Sequence, residues 1–276
     1  MRPIKVMYLN PVSTNTYDQV FADFLQTIKY PSTEVHVTSL NRNLGAITNI
    51  EYRTYEAIVT ADIIRATYQA AKEGFDALAI GCFYDTALHD AREISGGMVV
   101  TAPCHASIEI ALTLANNFSV IVGQRKWVNQ MENTVHEYGY GNKLRSFRDV
   151  DLNVVEFQQD HALTNQRLMD AAQKSVQVDY AESLILGCTL EFGFYSKLQD
   201  ELGVPVIDPT IAAFKAAEHA AINKNSYGWK PSRQWSSEAP PAHEIEEFGL
   251  FKNDYVFGER IIVEAQDSPV ASLAAS

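Results

Sequence analysis

The chain has 276 residues, 46% of them hydrophobic, and a formal net charge of −12. That length allows one large or two small domains with ample core. The acidic balance argues against non-specific binding to nucleic acid or to anionic membranes, because both need a positive surface.

Met1-Arg2-Pro3-Ile4 opens without a long apolar run. It predicts neither a signal peptide nor a membrane span, and the expected location is cytoplasmic. Residues 4–9 read as a short strand that stops at the turn Asn10-Pro11-Val12-Ser13-Thr14-Asn15-Thr16, before a helical spacing over 17–28. The polar side chains of that turn fit either a helix cap or a site for an anionic or imide group. Residues 33–38 alternate as a second strand. A polar loop over 41–52 carries Ile50-Glu51, and an Ala-rich helix over 55–72 leads to the next strand.

That strand is Asp76-Ala77-Leu78-Ala79-Ile80-Gly81-Cys82, followed by Phe83-Tyr84-Asp85. An apolar run without a helical polar face, closed by Gly, reads as a buried parallel strand and its exit turn. In open α/β sheets that exit is where ligands bind. A short helix over 87–95, a strand over 98–102, the step Pro103-Cys104-His105 and a helix over 107–116 follow. A strand over 118–122 opens the second half, with Arg125 and Trp127 just beyond it. The spacing then predicts a helix over 126–138, a strand within 150–157 and a helix over 162–176. The run Leu184-Ile185-Leu186-Gly187-Cys188-Thr189 leads to a helix over 194–202 stopped by Gly203, a strand over 205–208 and a helix over 211–223.

Cys188 lies 106 residues after Cys82, and Met98 to Pro103 aligns with Val204 to Pro209 at the same offset. A lone cysteine in an apolar run is usually a small core hydrophobe. Two in matched Gly-Cys turns point instead to two similar half-chains, each presenting one thiol at a strand end. There is no Cys-x-x-Cys, and three cysteines are too few for a zinc framework. Strands alternating with helices predict an α/β fold with a parallel sheet in each half.

From residue 224 the composition changes. The stretch to 265 holds Trp229, Pro231, Trp235, Pro240 and Pro241. It is expected to pack on the body or on another subunit, with both tryptophans mostly buried. Residues 266–276 are expected to be disordered.

Gly81-Cys82-Phe83-Tyr84-Asp85, with Ala91-Arg92-Glu93-Ile94 after it, resembles the hydantoin and allantoin racemases of the aspartate/glutamate racemase superfamily. Asn10-Pro11, Ile50-Glu51, the strand over 118–122, Leu186-Gly187-Cys188-Thr189 and Gly203 to Asp208 agree, so the resemblance covers about residues 4–222. It implies two Rossmann-like lobes related by a pseudo-twofold axis, with the active site in the cleft between them. The expected division is 1–97 plus 209–223 for lobe 1, 98–208 for lobe 2 and 224–276 for an extension. The resemblance further implies a small-molecule substrate, no cofactor and no metal; the expected assembly is a homo-oligomer. The chain departs from the family at Thr86, where these racemases usually carry Pro, at Cys104-His105 and in its long tail.

Racemisation removes a proton from one face of a carbon and returns one to the other. Cys82 and Cys188 on opposite sides of a cleft do this if one is thiolate and its partner thiol. A free thiol pKa of about 8.5 leaves little thiolate at neutral pH, so the site is expected to favour the anion. Asn10, Ser13, Thr14 and Thr189 are the expected donors to a thiolate or to the carbonyl oxygen that gains charge. Ile50, Phe83 and Tyr84 suit the substituent pocket or core packing alike. Asp85 fits thiol tuning or a cap, His105 a substrate contact or a solvated turn, and Cys104 a structural role. Other readings stay open. They are an amino-acid racemase, a cis–trans isomerase or a decarboxylase on the same fold, or a non-catalytic small-molecule binder.

Overall fold

β1 (Ile4–Asn10) is buried along almost its whole length, as a central strand covered on both faces must be. The computed structural model describes residues 2–41, 45–251 and 256–266. In it β1 pairs in parallel with β2 (Thr33–Leu40) and β3 (Ala77–Ile80), and β3 pairs in parallel with β4 (Val99–Thr101). A second parallel sheet is built from β5 (Phe118–Val122), β6 (Leu144–Asp149), β7 (Leu184–Leu186) and β8 (Val206–Ile207). The orders correspond, β4-β3-β1-β2 in one sheet and β8-β7-β5-β6 in the other. The expected α/β class with two parallel sheets is therefore the observed one. β9 (Phe257–Val263) adds one antiparallel strand outside β2.

The crossovers are helical. α1 (Asp18–Ile28), α2 (Arg53–Lys72) and α3 (Leu88–Ile94) serve the first sheet, and α5 (Val128–Glu137), α6 (His161–Gln177) and α7 (Tyr195–Leu202) serve the second. Between these sets lies an exchange. α4 (Pro103–Leu114) leaves the first sheet after β4 and packs on β5, β7 and β8 of the other lobe. α8 (Pro209–Tyr227) leaves the second sheet after β8 and packs on β1, β3 and β4. α4 and α8 also pack on each other, so each lobe is completed by a helix that begins in its neighbour.

Three sequence expectations are corrected. The strand at 99–101, which a boundary at 98 places in lobe 2, pairs with β3 and so belongs to the first sheet. The strand of the sixth position is residues 144–149, not 150–157. It is an edge strand, where charged side chains such as Arg145 and Arg148 are tolerated and mask the pattern. Val150, Leu152 and Phe157 are buried in the loop that follows. Third, Trp229 is 67% and Trp235 88% exposed, so the body of the chain buries neither. The tail is held by other means: β9 on β2, the Arg233 guanidinium on Ser95 Oγ at 3.0 Å and Arg260 on Glu73 at 2.6 Å, with the buried Ile245 of α9 (Ala242–Phe248). Of the stretch 266–276 expected to be disordered, Gln266 donates its N–H to the Pro31 carbonyl at 2.7 Å, and 267–276 lie outside the described residues. Among the described residues no helix is long and apolar enough to cross a membrane.

Candidate active site

The two cysteine turns are built alike. Past β3, the Gly81 N–H donates to the Leu9 carbonyl at 2.8 Å; past β7, the Gly187 N–H donates to the Ile121 carbonyl at 2.7 Å. Each is a last bond to the central strand of its sheet. Both positions are too crowded for a side chain. A Cβ on Gly81 would lie 2.9 Å from Tyr8 Oη, and one on Gly187 would lie 2.7 Å from the Ile121 carbonyl oxygen. The chain then turns, and Cys82 and Cys188 enter one cavity of about 70 Å³ between the lobes. That is room for about five water-sized groups, the scale of one small ring. Asn10, Ile50, Phe83 and Tyr84 line it from the first lobe, and Trp127, Met131, Val154, Thr189 and Leu190 from the second. All three cysteines are free thiols.

The lobes are tied at this cavity. Thr189 Oγ1 donates to the Gly81 carbonyl at 3.1 Å. Glu51 accepts the Val154 N–H at 2.9 Å and pairs with Lys126 at 3.3 Å, while the Lys126 ammonium sits 3.6 Å above the Tyr52 ring. The loop carrying Ile50 thereby closes over the cavity onto the second lobe.

Burial pushes the Cys82 thiol up to about 12, against the pull of the Tyr84 N–H, and the Glu56 and Asp85 charges add to the rise. Burial raises Cys188 well above the ordinary thiol range as well, with Glu191 adding. The expectation that the site favours the anion is thus corrected: unliganded, both thiols are protonated at neutral pH. Cys188 begins a single 3-10 turn, Thr189–Glu191, in which its sulfur accepts the Glu191 N–H and the Glu191 carboxyl accepts the Cys188 N–H at 3.3 Å. Glu191 is fully buried, its Oε1 has no hydrogen-bond partner, and burial raises its pKa well above the carboxylate range.

The expected binding residues divide. Asn10, Ile50, Phe83, Tyr84 and Thr189 line the cavity; Ser13, Thr14, Asp85 and His105 do not. Ser13 instead bonds the backbone at 45 and 47, pinning the loop, and Thr14 pairs with Thr16 on the surface. The hydroxyl of Thr189 is spent on Gly81 and the amide NH2 of Asn10 on Ser39 (3.1 Å) and Asp18 (3.5 Å). The four side chains expected to donate into the site are therefore committed elsewhere. Asp85 is a cap. Its carboxylate accepts the N–H groups of Cys104 (2.7 Å) and His105 (2.9 Å) at the start of α4 and the Tyr138 hydroxyl at 2.9 Å. Burial lifts it to about 7 despite those donors. Asp208 caps α8 in the same way through Thr210 and Ile211, the residues 106 positions after Cys104 and His105. His105 faces Glu109 and the edge of Tyr138, and Cys104 is wholly buried.

Several neighbours of the thiols escaped the sequence reading: Tyr8 beneath Gly81, Trp127 and Met131 in the cavity wall, Glu191, and a bridge from Cys82 through Thr86 to Glu56. Thr86 Oγ1 lies 3.8 Å from Cys82 Sγ and 3.0 Å from Glu56 Oε1, and Gln130 of the second lobe donates to the other Glu56 oxygen. Thr86 stood out in the sequence as a departure from the family, and that was the available signal. Among the described residues no group of three or more His, Cys, Asp or Glu is gathered to hold a metal ion.

The family described as Asp/Glu/Hydantoin racemase matches residues 6–217. The chain belongs to that family. It is a racemase-family enzyme, as the cysteine motifs implied. It is 31% identical to the hydantoin racemase of Paenarthrobacter aurescens over 86% of this chain and 98% of that one. It is also 31% identical to the hydantoin racemase of Rhizobium meliloti, over 80% and 92%. Among solved structures, the allantoin racemase from Klebsiella pneumoniae superposes with a TM-score of 0.78 at 22% identity, covering 86% of this chain and 94% of that one. At that identity the likeness speaks for the racemase fold alone. The family match ends at 217, ahead of the exposed tryptophans and β9.

Proposed function

We propose that this chain inverts the ring carbon of 5-substituted hydantoins, using Cys82 and Cys188 as base and acid without a cofactor. The observation that carries the reading is that both thiols, from matched turns of two lobes, line one cavity the size of a small ring. The hydantoin racemases among its relatives support the substrate class. Within that class the cavity walls favour an apolar substituent. Phe83, Tyr84, Trp127, Met131 and Val154 offer apolar surface for it.

The chemistry follows from the site. A thiolate on one face takes the C5 proton, and the electron pair moves into the C4 carbonyl to give an enolate. The thiol on the other face returns a proton to C5. Each turnover leaves the two sulfurs with exchanged protonation states, and the opposite enantiomer uses them in the reverse sense. A C5–H between a ring nitrogen and a carbonyl is acidic enough that two thiols suffice. Asn10, its NH2 already committed, offers its carbonyl oxygen to a ring N–H. The Thr189 hydroxyl is spent, so the enolate oxygen is left to the Trp127 Nε1–H, which lines the cavity without a partner, and to the Tyr84 hydroxyl.

The test is to incubate single enantiomers of hydantoins with benzyl, isobutyl and methyl substituents, and of allantoin, in heavy water. Polarimetry and NMR follow each. The reading predicts loss of rotation together with deuterium at C5, faster for the large apolar substituents than for allantoin. Turnover of allantoin alone would overturn the substrate, and exchange with none of the panel would overturn the reaction.

A further inference from the structure

Thr86 has one hydroxyl proton and two acceptors within reach, Glu56 Oε1 at 3.0 Å and Cys82 Sγ at 3.8 Å. The carboxylate is nearer and charged, and a charge-assisted bond is the stronger one. The second Glu56 oxygen is held by the Gln130 amide, so the carboxylate cannot swing away from the threonine. With its proton committed to Glu56, the Thr86 oxygen presents lone pairs to the sulfur. It accepts an S–H and has nothing to give a thiolate. Thr86 is 3% exposed, so water does not replace this contact. We infer that Glu56, acting through Thr86, is a positioning residue that holds Cys82 as the thiol, so that Cys82 is the proton donor when one thiol of the pair ionises.

The arrangement has no equivalent at Cys188. The residue 106 positions after Thr86 is Phe192, which carries no hydroxyl, and the acid beside Cys188, Glu191, accepts the Cys188 N–H directly at 3.3 Å with no hydroxyl between. The two thiols are matched in backbone and unmatched in what surrounds them. The titratable groups acting on Cys82 are Glu56 from α2, the Tyr8 phenol from β1, and Asp85 and the Tyr84 phenol from its own turn, with Cys188 facing it from the second lobe. Asp85 is satisfied by its own three donors, so Glu56 is the carboxylate that reaches the sulfur through a bridge.

This inference rests on the two-thiol reading, but its test does not need turnover. The full-length protein is labelled with iodoacetamide from pH 6 to 10, and labelling at each cysteine is read by peptide mass spectrometry. Glu56→Gln removes the charge and lets the side-chain amide donate to Thr86, freeing the hydroxyl proton for the sulfur. Cys82 should then label about tenfold faster at pH 8, the change expected from a one-unit fall in its pKa, with Cys188 unchanged. Thr86→Ser keeps the bridge and should keep the wild-type profile. In a Thr86→Val background the effect of Glu56→Gln should fall below about threefold, because the path through the hydroxyl is gone. An unchanged Cys82 profile in Glu56→Gln overturns the inference. So does an equal shift in the Thr86→Val background, which would make Glu56 act through space alone. Either result leaves the two-thiol reading standing. Full turnover by Cys82→Ser would instead remove that reading, whatever the labelling shows.

Discussion

Thr189 donates its side-chain hydrogen bond to the carbonyl of Gly81. The residue after one cysteine thus grips the residue before the other, across the lobe boundary. A single 3.1 Å bond sets the two thiol-bearing turns against each other, and both partners sit at the wall of the cavity. Thr210 continues the link by donating to the Thr189 carbonyl at 3.1 Å, so the start of α8 is part of the same brace.

Removing that brace should cost both stability and rate. Thr189→Val keeps the shape and leaves the Gly81 carbonyl buried without its donor. The expected destabilisation is about 1–3 kcal/mol, the price of an unsatisfied buried acceptor. Turnover should fall further than stability implies, because the distance between the turns is no longer fixed. Thr189→Ser should restore both. Urea melts beside initial rates check this; a fall in stability with an unchanged rate would mean that the brace is structural only.

The glycines before the cysteines should differ in what rescues their substitution. Gly187→Ala drives a Cβ against the main-chain oxygen of Ile121, which cannot move without shifting β5. Gly81→Ala meets the Tyr8 side chain, whose ring is fully buried and yields only by repacking. Both should destabilise by roughly 1–3 kcal/mol, the range for overpacked cores. Tyr8→Phe should partly rescue Gly81→Ala, since Oη is the nearest atom, and should do nothing for Gly187→Ala. Thermal denaturation of the five variants measures this.

The pH dependence of turnover follows from the raised thiols. The active form carries one thiolate and one thiol. With Cys82 pushed to about 12 and Cys188 raised as well, that form is a minor species at pH 7 and grows as pH rises. kcat/KM should therefore climb steadily from pH 6 to at least pH 9, approaching about tenfold per unit. Because the two enantiomers are equally stable, it must do so identically in both directions. A plateau below pH 8 would show that the bound ring or the main-chain donors bring a thiol down much further than the unliganded site does.

Most of the fold was legible because parallel strands buried on both faces leave unbroken apolar runs. Ala77 to Ile80 and Leu184 to Leu186 are such runs, and their common offset exposed the repeat. The edge strand at 144–149 was hidden for the opposite reason: its arginines face solvent, and Arg148 finds Asp179 only in the folded chain at 2.5 Å. The expected division that came with the resemblance, 209–223 with lobe 1 and 98–208 with lobe 2, carried the exchange of α4 and α8; periodicity alone tells that a helix has an apolar face and not whose sheet that face covers. The same holds for the site. Cys82 and Cys188 were found through a local motif. The Glu56 bridge depends on contacts at separations of 30 and 74 residues, which no local pattern records. Ser13 and Thr14 show the converse. Their turn chemistry suited a ligand or a loop equally, and the fold uses them for the loop.

The two-thiol account is tested most directly by single-enantiomer exchange in heavy water with Cys82→Ser, Cys188→Ser and Cys104→Ser. A serine hydroxyl is far too weak an acid to serve as the base, yet it preserves shape, so binding of the ring should persist. Cys82→Ser and Cys188→Ser should each lose racemisation. Each should still exchange the C5 proton of one enantiomer, and the enantiomer should be opposite for the two. Cys104→Ser should turn over like wild type. Retention of full racemisation by either Cys82→Ser or Cys188→Ser would contradict the account. So would exchange of the same enantiomer by both.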